Sequence, residues 1–237
     1  MRNFPHLNKH QLVETALYAH CVNPHVHTNA EVVNFVKSIS PDARIRMLPQ
    51  GATDKGADSG PLVAGESQNP RRAVVIKPNL FLYELLEGYD NWEIFISEGL
   101  KYLLQYLKEF KTTKINRFGV RSVNKFVQPD TGVVQDAFFT EATGKRSGLK
   151  SVPFEVVETD TQYYPDYDLS ATIVQSVRTL SLHKPMPQNG LLDINVFFLS
   201  KEGIDSSAFG QILERIHELK NRLFFSLVSE EKIKSMM

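Results

Sequence analysis

The stretch Lys-Ile-Asn-Arg-Phe-Gly-Val-Arg-Ser-Val-Asn-Lys-Phe, residues 114–126, decides how the rest of the chain is interpreted. Side chains of a β-strand alternate between its two faces. The apolar residues therefore share one face and the cations share the other. The apolar set is Phe118, Val120 and Phe126, and the cationic set is Arg117, Arg121 and Lys125. We expect a strand whose cations face carboxylates of a neighbouring strand or an anionic partner.

A later segment, residues 191–199, offers a matching acid. It alternates in the same way, with Asp193 and Asn195 on the face opposite Leu192 and Ile194. If both strands share one sheet, Asp193 is expected to pair with Arg117 or Arg121. An exposed cross-strand pair contributes only about 0.2–1 kcal/mol. Three roles therefore stay open for this set: a structural ion-pair network, an anionic or nucleic-acid site, and a protein interface.

Composition limits the functional classes. The 237 residues are 42% hydrophobic and 23% charged, typical of a globular protein, and 27 basic residues balance 27 acidic ones. With zero net charge, the molecule as a whole is not attracted to nucleic acid or to anionic membrane. A local basic patch is still compatible with this balance.

The chain has one cysteine, Cys21, so no intrachain disulfide forms and a reducing compartment is indicated. Residues 1–6 lack the apolar core of a signal peptide, and no run approaches the roughly 18 apolar residues of a membrane-spanning helix. We therefore expect a cytoplasmic protein without membrane contact.

Three amphipathic helices are predicted, over residues 28–40, 91–110 and 206–228. Thr28 and Glu31 have the spacing of a capping box, and Asp90 and Glu93 repeat it. Asp205 or Ser206 is expected to cap the third helix. Gly99 interrupts the second helix, which indicates close packing there.

Strands are predicted between and after the helices, and short turns between consecutive strands favour an antiparallel sheet. Their ranges are 12–22, 72–77, 79–87, 114–127, 133–140, 152–159, 169–180 and 191–199. The fold class is α+β, a mostly antiparallel sheet with the helices packed on it. We expect a single domain over 1–237, with two related halves divided near 128–150 as the alternative. Residues 50–70, rich in Gly, Ser, Asp and Pro, are expected to be a mobile loop.

Acidic residues cluster between two of the predicted strands, together with three tyrosines. The acids are Glu155, Glu158, Asp160, Asp166 and Asp168. Paired carboxylates can do acid–base chemistry or hold a divalent metal. Pro165 lies among them, so a solvated acidic turn is the simpler interpretation. No Gly-x-Ser-x-Gly motif with triad partners is present. The sequence therefore predicts no catalytic residue, metal or cofactor.

Residues 116–125 resemble the Arg-apolar-Gly-apolar-Arg-x-x-Asn strand of a sporadically distributed family of uncharacterised prokaryotic proteins. Members of that family also have an Asp-containing late strand, matched here by residues 192–196, and a final helix with a His…Asn…Phe pattern. His217, Asn221 and Phe224 match that pattern. The resemblance spans nearly the whole chain. It implies no activity, but the patchy distribution is typical of defence or toxin–antitoxin modules.

These observations favour a non-catalytic interaction or accessory subunit of a prokaryotic complex, with a protein partner and a defence-type setting such as antiviral defence. Two alternatives stay open. One is a nucleic-acid or nucleotide-binding module that uses Arg117, Arg121 and Lys125. The other is a metal-dependent enzyme that uses the carboxylates of residues 155–168.

Overall fold

The structure is a computed structural model that describes most of the chain. The described residues are 12–22, 28–48, 62–68, 71–77, 79–86, 89, 91–111, 114–128, 155–178, 188–228 and 230–237. The predicted strand over 133–140 lies outside these residues. Among them, no helix is long and apolar enough to cross a membrane.

The fold is α+β, as the sequence predicts, and its described strands form one nine-stranded antiparallel sheet. In chain order the strands are β1 Leu12–Cys21, β2 Arg44–Leu48, β3 Leu62–Gln68, β4 Arg71–Lys77, β5 Leu80–Leu85, β6 Ile115–Gln128, β7 Glu155–Tyr164, β8 Leu169–Arg178 and β9 Gln188–Ile204. Their order across the sheet is β2-β3-β4-β5-β1-β6-β9-β8-β7. Among the described strands, β2 and β7 are therefore the two edges.

The described helices are α1 Asn29–Ile39, α2 Trp92–Glu109, α3 Phe209–Leu227 and α4 Glu230–Met236, with a short 3₁₀ turn Ser206–Ala208 before α3. Thr28 caps α1 with the predicted capping box: its hydroxyl accepts from the Glu31 N–H, and its own N–H donates to the Glu31 carboxylate. Asn91, rather than Asp90, caps α2, and its side chain accepts from the Ile94 N–H at 2.9 Å. Asp205 accepts from the Ser207 N–H.

The chain divides into two compact units. Of the described residues, those within 12–13, 121–196 and 213–237 belong to the first unit, and those within 14–120 and 197–212 belong to the second. In the second unit, α1 and α2 bury an aromatic cluster in which Tyr106 lies against Phe35, Phe81 and Phe110, with ring centroids 5.0–5.9 Å apart. In the first unit, the buried stripe of α3 includes Ile216, Leu219 and Leu223.

The prediction of a mobile loop over 50–70 is wrong for residues 62–68, which form β3. This strand pairs with β2 on one side and with β4 on the other. Ala64, Gly65 and Ser67 do not form the apolar and polar alternation that is typical of a strand. Backbone pairing, however, does not need large side chains. Gly65 is small for a reason, since a Cβ there would overlap the Cγ1 methyl of Val36 on α1. Residues 50–61 and 69–70 lie outside the described part of the chain.

The contact at Gly65 makes a prediction about stability. Gly65→Ala is expected to lower the free energy of unfolding by about 1–3 kcal/mol, because the new methyl group overpacks β3 against α1. Urea denaturation measures the change. In the Val36→Ala background the same substitution is expected to cost less, and additive costs would contradict the contact. Gly210→Ala is the matched control, since nothing lies within 4 Å of a Cβ at that helical position.

Candidate functional site

Strand β6 has the two faces that its sequence predicts. Phe118, Val120 and Phe126 are fully buried, and the Phe118 ring stacks on Phe209 with centroids 4.5 Å apart. Arg117 and Arg121 are half-buried on the other face, and Lys125 is exposed. Whether this face can hold an anionic ligand depends on the contacts that each cation already makes within the fold.

Arg117 is engaged with aromatic side chains. Its Nε donates to the Tyr18 hydroxyl at 3.2 Å, and its guanidinium lies 3.7 Å from the centroid of the Phe197 ring. Such cation–π contacts contribute about 0.5–2 kcal/mol, depending on how far the cation is desolvated. The guanidinium therefore has neutral partners within the fold and stabilises the packing around Tyr18 and Phe197.

Arg121 forms a two-pronged ion pair with Asp193. Its Nε lies 3.1 and 3.0 Å from the two carboxylate oxygens, and one terminal nitrogen lies 2.8 Å from Oδ2. Asp193 is only 9% exposed, so this ion pair lies largely away from solvent on the Asp193 side. Asn195 is half-buried two residues further along β9, and Asn124 of β6 is buried. The structure thus joins Arg121 to Asp193 and gives Arg117 different partners.

The acidic segment 155–168 is mostly a strand and not a loop. Its first ten residues form β7, and the turn is confined to the next four, 165–168. The prediction of a loop after residue 159 is wrong because the backbone of residues 160–164 pairs with β8, opposite Leu169–Ile173. Among the described residues, no group of three or more His, Cys, Asp or Glu side chains is placed to hold a metal ion.

The turn after β7 is fixed in place against α3. The Tyr163 hydroxyl donates to Asp168 at 2.9 Å, and an Arg215 guanidinium nitrogen donates to the Tyr167 carbonyl at 2.9 Å. Asp168 has a φ of 51°, a left-handed conformation that Asp tolerates better than most residues. These contacts connect the end of β7 and its turn to α3.

A cleft of about 370 Å³ lies between this turn and α3. Its lining comes from Tyr164, Pro165, Asp166 and Tyr167 of the turn and from Leu219, Arg222, Leu223 and Ser226 of α3. The pKa of Arg222 is raised by a hydrogen bond and charge interaction with Tyr167 and by the nearby carboxylates of Asp166 and Glu218. The cleft thus contains one acid and one cation, Asp166 and Arg222, among mainly tyrosine and apolar side chains.

The two edges of the described sheet differ strongly. β2 has five residues, of which Arg44 and Arg46 are exposed cations, and Arg46 lies 3.5 Å from Glu66. β7 has ten residues without Lys, Arg, Pro or Gly. Val157 and Tyr163 are 57% and 61% exposed, and Thr159–Gln162 are exposed too. Proteins often protect long edge strands with charged side chains or Pro. Among the described residues, β7 is the longer edge, and its only charged side chains are acidic.

Sequence reasoning missed a polar network at Glu98 on α2. The Tyr83 hydroxyl donates to Glu98 Oε2 at 2.7 Å, the Tyr102 hydroxyl donates to Oε1 at 3.0 Å, and Arg72 forms a short ion pair with the same carboxylate. The four residues come from two strands and a helix, so no linear motif could have revealed them. The network attaches α2 to β4 and β5.

The network predicts a fall in stability at high pH. Burial, and then Glu98, raise the pKa of both tyrosines, that of Tyr102 to about 12. The unfolded chain therefore loses these protons first, and the free energy of unfolding falls as the pH rises above about 10. Urea denaturation between pH 8.5 and 11 measures this slope. The Tyr83→Phe/Tyr102→Phe double variant should show a shallower slope, and an unchanged slope would contradict the role of the network.

The sequence matches no model of a known protein family and no curated protein. The resemblance to a sporadically distributed prokaryotic family therefore stays a prediction.

Proposed function

We propose that this chain is a non-catalytic interaction subunit that binds a partner protein along the outer edge of β7. The observation that carries the proposal is the length and exposure of this edge strand. It has ten residues, and no other described strand lies beyond it in the sheet. An edge of this kind is a template for an extended segment of another chain.

The binding energy of such a strand would come mainly from the backbone. Every second residue of an antiparallel edge strand directs its N–H and C=O away from the sheet. With respect to the described residues, β7 therefore offers about five donors and five acceptors along its outer edge, and each hydrogen bond contributes about 0.5–1.5 kcal/mol net. The fixed turn at Tyr163 and Asp168 keeps this template in place before the partner arrives. Little ordering entropy then opposes binding.

The nucleic-acid alternative receives less support from the geometry of β6. Arg121 is paired with Asp193, and Arg117 lies over Phe197. A phosphate site normally needs several cations that converge on one ligand. Lys125 is the exposed cation of this strand, and one lysine is a weak basis for such a site.

The enzyme alternative rests on the carboxylates of residues 155–168. Among the described residues, these acids form no group of three or more side chains that could hold a metal ion. The single cysteine and the composition support placing the subunit in the cytoplasm. The family resemblance supports a prokaryotic defence or toxin–antitoxin setting.

The proposal is tested by photocrosslinking in the native host. A photoreactive residue replaces exposed Thr159 on β7, and in a matched control strain it replaces exposed Arg46 on β2. The β7 probe is expected to capture one defined protein, which is then purified and shown to bind the unmodified chain. The β2 probe is expected not to capture it. No capture from β7, or equal capture from both edges, would contradict the proposal.

A further inference from the structure

We infer that the segment bound at β7 is a basic, extended strand of a different protein. This inference rests on the proposed function, and it adds the chemical class of the partner. It is carried by the charge of the strand and of the turn that follows it. Residues 155–168 contain five acids and no Lys or Arg.

Acids of this segment are exposed to solvent both on β7 and in the turn that follows it. Asp160 and Asp166 are exposed, and Asp160 contributes to the raised pKa of Tyr164. The two acids of the turn have cationic neighbours, since Arg215 lies 3.9 Å from Asp168 and Arg222 lies near Asp166. The inference therefore depends mainly on the acids of the strand itself, of which Asp160 is exposed. A basic strand placed on this edge gains charge complementarity, which raises the association rate and selects the partner.

The same charge argues against a second copy of this chain as the occupant. An antiparallel pair of two β7 strands would combine six carboxylates with no Lys or Arg, and this like net charge opposes self-association. Phosphate-rich ligands are disfavoured for the same reason. A protein segment with Lys or Arg at alternating positions would meet the acidic strand and also complete its backbone hydrogen bonds.

The test first identifies the partner segment captured at β7 and then reverses the charge of two acids of this chain. Mass spectrometry of the Thr159 crosslink is expected to map to a partner segment with a net positive charge. With purified full-length proteins, Asp160→Lys/Asp166→Lys is expected to weaken binding about tenfold or more, and added salt is expected to weaken the wild-type complex. Asp42→Lys, an exposed acid before β2, is the matched control and is expected to change affinity less than about twofold.

The outcomes separate the two proposals. No partner at β7 would refute the proposed function itself. A partner at β7 whose segment is neutral or acidic would refute only the inference of a basic strand. So would a crosslink to a second copy or to another segment of the same chain. Equal affinities for the wild type and the Asp160→Lys/Asp166→Lys variant would also overturn it.

Discussion

Phe118→Ala is expected to lower the free energy of unfolding by about 3–5 kcal/mol, the usual cost of removing a fully buried phenyl ring. Phe118 is 0% exposed and its ring stacks on Phe209 at 4.5 Å between centroids. The substitution removes this contact and leaves a cavity on the apolar face of β6. Equilibrium urea denaturation, followed by circular dichroism, measures the change.

Leu199→Ala is the control for this prediction. Leu199 lies on β9 and is 56% exposed, so its truncation removes little buried surface. A change within about 0.5 kcal/mol is expected for an exposed position of this kind. If Phe118→Ala were as mild as Leu199→Ala, the apolar face of β6 would not be part of the core.

Arg121→Ala is expected to destabilise the fold by about 2–4 kcal/mol, because it leaves the Asp193 carboxylate without its cation. The side chains of Asp193 and Arg121 are 12% and 42% exposed, and this partial exposure lowers the cost below that of a fully buried pair. Arg121→Lys should recover only part of the loss, since an ammonium cannot repeat the two-pronged contact.

A double-mutant cycle isolates the pair. The Arg121→Ala/Asp193→Asn variant is expected to be more stable than the sum of the single effects allows, because the unpaired charge is gone. Lys125→Ala is the matched control, as Lys125 lies on the same face of β6 but is exposed. Equal effects of Arg121→Ala and Lys125→Ala would mean that the Arg121–Asp193 ion pair contributes little to stability.

The sequence was most informative where local rules decide the structure. The capping box of Thr28 and the apolar stripe of α2 predicted helix bounds within about two residues. The period-two pattern predicted the burial of Phe118, Val120 and Phe126, but Ile115 and Val123 on the cationic side of β6 are buried too. Gly99 was predicted to mark close packing, and a Cβ there would lie 2.8 Å from Leu17 and Tyr83 side-chain atoms.

The sequence was least informative where neighbours in space decide. β2 has five residues with two arginines, and β3 is built of small residues, so neither has a strong strand pattern. The order of the strands in the sheet cannot be read from the sequence. The sequence therefore could not indicate that β7 lies at an edge of the described sheet. Once the order is known, the acidic residues of β7 can be interpreted as the charge of the proposed interaction surface rather than as a candidate metal site.

The same limit applies to pairing. The alternation of β9 indicated that Asp193 faces the cations, but two arginines were equally good partners until the register was known. The structure pairs Asp193 with Arg121 and gives Arg117 the ring of Phe197. The Glu98 network was invisible for a similar reason, since Arg72, Tyr83 and Tyr102 lie far apart in the sequence.

Backbone amide hydrogen exchange tests most directly whether β7 binds a partner by strand addition. The exchange of each amide is compared in the isolated chain and in the complex with the captured partner. Slower exchange is expected at alternate residues of Glu155–Tyr164, whose N–H groups acquire acceptors, and unchanged exchange is expected in Arg44–Leu48 at the other edge. Slower exchange confined to Ile115–Gln128, with β7 unaffected, would contradict the account.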